Sequence, residues 1–274
     1  MLLSTVIKLT PREPVELPVH LGRAAHAWFL DLTTQGLGAS TATALHAPTA
    51  ARPFTVSDLL GGAPSQPGFR RLRPGEPVTL RITTLAEPLS TFMIRQKQER
   101  LLRQITLSGK TFRVTEMIQD AAQHPWAGQT HYESLLARYW ESPPPGQFTF
   151  QFASPTVFRS NQLYTPLPLP RLVFESLHRR WNHFSLQTIP DDFLAFARDS
   201  LVIRDFQIRT RHVRIKKGGA WRQIPGFVGR CTFGAVIQDQ YWLKWVHLLA
   251  AFALYAGVGK NTSMGFGQTR LLTE

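Results

Sequence analysis

At 274 residues, with 31 Lys and Arg against 18 Asp and Glu and a net charge of +13, the chain can bury one large or two small cores and calls for a polyanionic partner. Arginine supplies 24 of those cations, and its planar fork pairs with phosphate and stacks on bases, so nucleic acid is favoured over a generic basic surface. The lone Cys231 excludes an internal disulfide framework and a cysteine-rich zinc site, and the longest apolar run, Trp245 to Val258, is interrupted by His247 and too short to span a bilayer, so a cytoplasmic protein with no membrane association is expected.

Leu2 to Leu9 reads as a strand broken by Pro11 to Pro14, and Pro18 to Thr34 as a helix. Leu21, Ala25, Trp28, Phe29 and Leu32 recur at helical spacing and make its core stripe, which places Arg23 and His26 together on the opposite, open face. Gly36 and Gly38 end the helix, and Ala39 to His46 suits another short helical turn. Arg52 to Ser57 is extended, and Gly61 to Gly75 is a long loop carrying Arg70, Arg71 and Arg73. A strand over Pro77 to Leu85, a helix over Pro88 to Arg103 and an extended stretch over Gln104 to Met117, turning at Ser108-Gly109, complete a βαββαβ order. His131 to Trp140 is a further helix. Ser142 to Gly146, with three consecutive prolines, interrupts regular structure and divides the chain into 1–145 and 146–274.

The same order then recurs: strand Phe148 to Phe152, helix Arg171 to Phe184, strands Leu201 to Lys216 and Trp221 to Ile237, helix Tyr241 to Ala256 and strand Gln268 to Leu272. The fold class expected is α+β, two tandem ferredoxin-like domains. The long hairpin carries Arg209, Arg211, Arg214, Lys216, Lys217, Arg222 and Arg230, with no Asp or Glu between Phe206 and Gln238. It is either a basic ribbon for a nucleic-acid groove or an edge strand guarded by charge. Arg209 and Arg211 share one face, and Arg214 and Lys216 the other if no bulge intervenes.

Between the last helix and strand lies Gly257-Val-Gly-Lys-Asn-Thr-Ser-Met-Gly-Phe-Gly267. Its glycines permit positive φ and leave backbone amides without side-chain cover, a composition that suits wrapping around phosphate. A nucleotide-binding P-loop is excluded: that motif needs Ser or Thr after the lysine and a glycine five residues before Gly259, where this chain has Asn261 and Leu254, and it leads from strand into helix.

The loop matches, residue by residue, the carboxy-terminal signature of the CRISPR repeat-processing endoribonucleases of the RAMP superfamily. Leu45-His46 followed by Arg52-Pro-Phe-Thr-Val-Ser57 resembles two further segments of that family, as does Ala153-Ser-Pro-Thr-Val-Phe158 with Ser154 in place of a threonine. The resemblance implies two RNA-recognition-like domains that cut precursor CRISPR RNA without a metal or other cofactor, by attack of a ribose 2′-hydroxyl on the neighbouring phosphorus. His46 occupies the place of the family's catalytic histidine, and His26 that of a histidine found on the first helix of some members. Arg23 is the residue expected to stabilise the phosphate, with Arg52 where relatives often carry lysine. Several relatives use a tyrosine on that helix, whereas Trp28-Phe-Leu-Asp31 offers no phenol, so a two-histidine site is expected. His247 reads as a core residue.

RNA contacts are expected from Gly257, Gly259, Lys260, Asn261, Thr262, Ser263, Gly265 and Gly267 of the loop and from Arg209, Arg211, Arg214, Lys216, Lys217 and Arg222 of the hairpin. The partner implied is CRISPR repeat RNA, with effector-complex proteins and a homodimer left open. Two other readings stand beside it: a non-catalytic RNA-binding RAMP subunit of a surveillance complex, and a DNA-binding module.

Overall fold

The computed structural model describes residues 1–38, 51–141, 143–160, 163–217 and 220–272. It divides into two compact units, Met1–Gln129 with Ser263–Gly265, and Thr130–Thr262 with Phe266–Glu274. The first contains β1 (Leu2–Pro11), β2 (Val15–Pro18), α1 (Gly22–Leu37), β3 (Phe54–Val56), β4 (Ala63–Pro64), β5 (Phe69–Leu72), β6 (Val78–Thr84), α2 (Glu87–Gln98), β7 (Gln104–Leu107), β8 (Lys110–Ile118) and β9 (Gly128–Thr130). Its main sheet runs β3-β6-β1-β8-β7, with β9 also paired to β1. Counting β1, β3, β6 and β8 as first to fourth, the order is second, third, first, fourth.

β1 is buried on both sides because alternate residues have different partners. Leu3, Ile7 and Leu9 face the core made with Ala25, Phe29, Phe92 and Met93 of the two helices. Val6 packs with Ile118, Ala127 and Trp126. On the same side, Arg81 Nε donates to Ser4 Oγ and to the Trp126 carbonyl, each at 2.9 Å, and its guanidinium lies 5.1 Å from the centre of the Trp126 ring. Those bonds let a cation stay buried within the sheet.

The second unit contains α3 (Tyr132–Trp140), β10 (Gln147–Thr156), β11 (Phe158–Ser160), β12 (Leu163–Thr165), α4 (Pro170–Phe184), α5 (Asp192–Asp199), β13 (Leu201–Lys217), β14 (Ala220–Ala235), α6 (Gln240–Ala256) and β15 (Thr269–Leu272). Its sheet, β13-β14-β10-β15, repeats the order of the first. The fold is thus α+β with tandem ferredoxin-like domains, as the recurring element order predicts. Phe148, Phe150 and Phe152 alternate along β10 onto one face and meet Phe174, Phe227 and Phe233 in an aromatic core. α6 is apolar around nearly its whole circumference and accordingly buried. Asp239 caps it, accepting from the amides of Tyr241 and Trp242.

Three differences from the sequence expectations have physical causes. The stretch from Gly61 to Gly75 is no loop: β4 and β5 join β2 in a three-stranded sheet, and Arg70 turns inward to donate to the carbonyls of Val19, Leu59 and Gly61. Short strands so rich in arginine and proline carry no apolar alternation to reveal them. α3, assigned to 1–145 by the proline signal, packs within the second unit, where Tyr132 meets Trp181 edge-on at 5.3 Å and Phe252 at 6.1 Å. Prolines mark where regular structure stops; they do not say which core the preceding helix joins. Finally, α1 starts at Gly22 rather than at the expected Pro18, because Val15–Pro18 pairs as β2, and it stops at Gly38 with φ 84°, one of the two glycines expected to end it.

Candidate functional site

α1 enters the site through an unusual start. Asp58, just past β3, accepts from the Leu21 amide at 2.7 Å and from the Leu59 amide at 2.9 Å, and its other oxygen lies 2.6 Å from His20 Nδ1. The carboxylate thus ties the first turn of α1 to the end of β3. The buried stripe of the helix is Gly22, Ala25, His26, Phe29, Leu30 and Thr33, rotated from the predicted one. Trp28 and Leu32 are only half-buried, while His26, expected on the open face, is 8% exposed. Arg23 does face solvent, so the two residues expected side by side on an open surface have different environments.

His26 is buried because its ring has matched partners. It stacks on Phe54 of β3, ring centres 5.6 Å apart at 24°, and Nδ1 lies 3.0 Å from the Ser263 carbonyl. A carbonyl can only accept, so Nδ1 carries the hydrogen, and in the neutral ring the lone pair sits on Nε2. Arg52 is half-buried two residues before Phe54. His46 lies outside the described residues.

Ser263 belongs to the glycine loop. Its segment Ser263–Gly265 packs with the first unit, where the Gly265 amide donates to Val56 and Ser57 bridges Gly265. Gly22 makes that approach possible: a Cβ there would stand 2.1 Å from the Met264 carbonyl oxygen. The rest of the loop is closed on the second unit. Gly257 stops α6 at φ 65°, Val258 donates to the Gly267 carbonyl, Lys260 to that of Val157, and Gly267 to that of Pro155. The Gly259 amide donates to Ser176 Oγ. The expectation of uncovered amides around a phosphate is therefore corrected at these positions, where the amides are occupied by protein acceptors and the glycines serve close backbone approach. Thr262 and Ser263 are buried, whereas Lys260 is exposed and Asn261 half-exposed at φ 60°.

Arg180 of α4 braces this loop, its Nη1 donating to Thr262 Oγ1 at 2.5 Å. Burial, with the adjacent Arg179, pushes the Arg180 guanidinium down to about 10. Neither Arg180, Phe54 nor Asp58 is marked as a site residue by sequence, because each acts on a partner far along the chain. The signal in the sequence is the segment Arg52 to Ser57, whose Phe54 and flanking Asp58 both bear on α1.

β13 and β14 pair without a register shift from Asp205 to Lys217, so strict alternation holds. Arg209, Arg211, Val213 and Ile215 share one face with Arg222 and Ile224. Val213, Ile215 and Ile224 pack there on Val157 and Phe266, the latter a residue of the glycine loop. His212, Arg214, Trp221 and Gln223 occupy the other face and are exposed. The hairpin residues Lys216 and Lys217 continue β13. Cys231, deep in β14, has its thiol pushed up to about 12 by burial, which removes it as a nucleophile near neutral pH.

Residues 150–269 match the family model described as CRISPR-associated endoribonuclease Cas6. A curated CRISPR-associated endoribonuclease Cas6 of Streptococcus thermophilus is 31% identical over 127 residues, covering 45% of this chain and 50% of that protein, so the sequence match spans about half the length of this curated relative. Over 99% of both chains, a solved Cas6 product complex has the same fold at TM-score 0.78 and 27% identity. A Thermus thermophilus Cas6 structure gives TM-score 0.72 and 28% identity over 99% of this chain and 98% of that one. Among the described residues no helix is long and apolar enough to cross a membrane.

Proposed function

We propose, from the premise that this chain is a Cas6 relative in sequence over residues 150–269 and in fold over 99% of its length, that it cleaves precursor CRISPR RNA within each repeat without a metal. A base removes the proton of a ribose 2′-hydroxyl, whose oxygen attacks the adjacent phosphorus. The P–O5′ bond breaks, and an acid delivers a proton to the departing O5′. The products carry a 2′,3′-cyclic phosphate and a 5′-hydroxyl, and no water is consumed.

His26 and His46 share the two proton transfers, because an imidazole titrates near neutral pH and serves either role. Arg23 and Arg52 stabilise the charge that gathers on the phosphorane. The observation that carries the reading is the bond from His26 Nδ1 to the Ser263 carbonyl, which turns Nε2 into the ring's working nitrogen. The basic hairpin and the exposed Lys260 hold the RNA backbone, and effector-complex proteins or a second copy are compatible further partners.

The test is cleavage of end-labelled repeat RNA in EDTA. Continued cutting, a cyclic phosphate terminus and complete resistance of an RNA with a 2′-deoxy sugar at the cleaved position are expected. Loss of cutting on metal removal, or a 3′-hydroxyl product, sinks the mechanism. The burial of His26 favours one second reading, a non-catalytic RNA-binding RAMP subunit in which this histidine merely anchors the loop. That reading predicts tight RNA binding with no cutting at all.

A further inference from the structure

The hairpin's outer face holds a tryptophan that the protein leaves open. Trp221 is 64% exposed, and Arg214, diagonally across the ladder, lies with its guanidinium 5.5 Å from the ring centre. The opposite face of the same ribbon buries Val213 and Ile224 with Val157 and Phe266, so the apolar anchoring of the hairpin is complete without Trp221. An exposed indole on a strand with no Asp or Glu from Phe206 to Gln238 is therefore not a leftover of packing.

We propose that Trp221 is a stacking platform for one unpaired base of the bound RNA. This rests on the reading that the chain binds RNA and names a contact within it. Arg214 engages the ring and leaves most of it to solvent, an arrangement that accepts a second planar partner. An indole matches the area of a single base, and base faces are accessible only where a strand is unpaired or ends, not in the grooves of an intact duplex. Arg214 supplies a cation for the adjoining phosphate. His212 and Gln223, exposed on the same face, offer hydrogen bonds to the base edge.

The experiment measures affinity, at one fixed salt concentration, for a CRISPR repeat RNA that the parent protein binds and for the same RNA made abasic at one position at a time. Trp221→Ala should weaken binding about tenfold to a hundredfold while Trp221→Phe stays within about threefold of the parent, as the loss and retention of one stacked base predict. At one position the abasic RNA should lose affinity for the parent protein and nothing further for Trp221→Ala. Losses that add at every abasic position, or an unchanged affinity of Trp221→Ala, overturn the proposal. An Arg214–Trp221 pair that serves the hairpin alone would lower the melting temperature of Trp221→Ala without touching affinity, which also overturns it. If the parent protein cuts and binds the RNA while Trp221→Ala is unaffected, only the platform falls. If the parent binds it no better than heparin, the RNA reading falls too.

Discussion

An imidazole has two nitrogens, and at His26 they face different tasks. Nδ1 is held 3.0 Å from the Ser263 carbonyl, and the proton transfer proposed for this residue falls to Nε2. Asparagine can keep a donor where Nδ1 stands while offering nothing that titrates. His26→Asn should therefore slow cleavage by about a hundredfold to ten-thousandfold, the usual range for a lost general acid or base, with RNA affinity within about twofold. His26→Ala loses the carbonyl bond as well, and its affinity should fall further. Cleavage by His26→Asn at the parent rate would assign the residue to holding the loop. Helical periodicity puts this residue on the open face because, by hydrophobicity, Trp28 and Leu32 outrank a histidine for the buried stripe. The ring of Phe54 and one carbonyl make a flat, polar side chain the better fit for the buried position, and both come from elements far from α1 in sequence. Arg23 lies on the solvent side of α1, as its place opposite the apolar stripe predicts.

At the scale of elements, the glycine loop and α1 depend on one another through backbone contact. Glycine to alanine at a helix position ordinarily gains up to about 1 kcal/mol. At Gly22 the added Cβ would meet the Met264 carbonyl oxygen at 2.1 Å, backbone that can yield only by moving the loop. The clash outweighs the propensity, and Gly22→Ala should cost about 1–3 kcal/mol net. Because Met264 adjoins Ser263, cleavage should fall more than RNA affinity, which thermal denaturation together with single-turnover assays would read. A stabilised variant with parental cleavage would show that the loop does not need this approach. The glycines were legible as a motif; their use was not, since positive φ at Gly257, Gly259, Gly265 and Gly267 serves closure of the loop on protein acceptors rather than open amides. The hairpin was legible from Asp205 to Lys217, because a two-residue period without a register shift needs no tertiary information to place its faces, whereas the shift between Ile203 and Asp205 left no mark in the sequence.

For the molecule as a whole, one buried histidine on a helix of the second unit contributes to the response to acid. His247 is buried in α6, its Nε2 donating to the Pro145 carbonyl at 2.7 Å, and burial lowers its pKa despite that bond. The unfolded chain, with an ordinary imidazole near 6.5, then binds the proton that the folded one refuses, so stability is present above about pH 6.5 and falls as the pH drops below it. One such group limits the slope to about 1.4 kcal/mol per pH unit. Denaturant unfolding at successive pH values should show that decline, and His247→Gln should flatten it; an unaltered slope would assign it to other groups. What the sequence determined alone was whatever is written locally: the βαββαβ order twice over, the two faces of the hairpin, the stop of α6 at Gly257 and the resemblance carried by its glycine loop. Only tertiary structure decided that Arg70 turns inward, that α3 joins the second unit, and that Ser263, 237 positions away, supplies the carbonyl for His26. Periodicity and turn chemistry are written in neighbouring residues, whereas which buried polar atom finds which partner depends on distant chain segments that meet only when a unit folds.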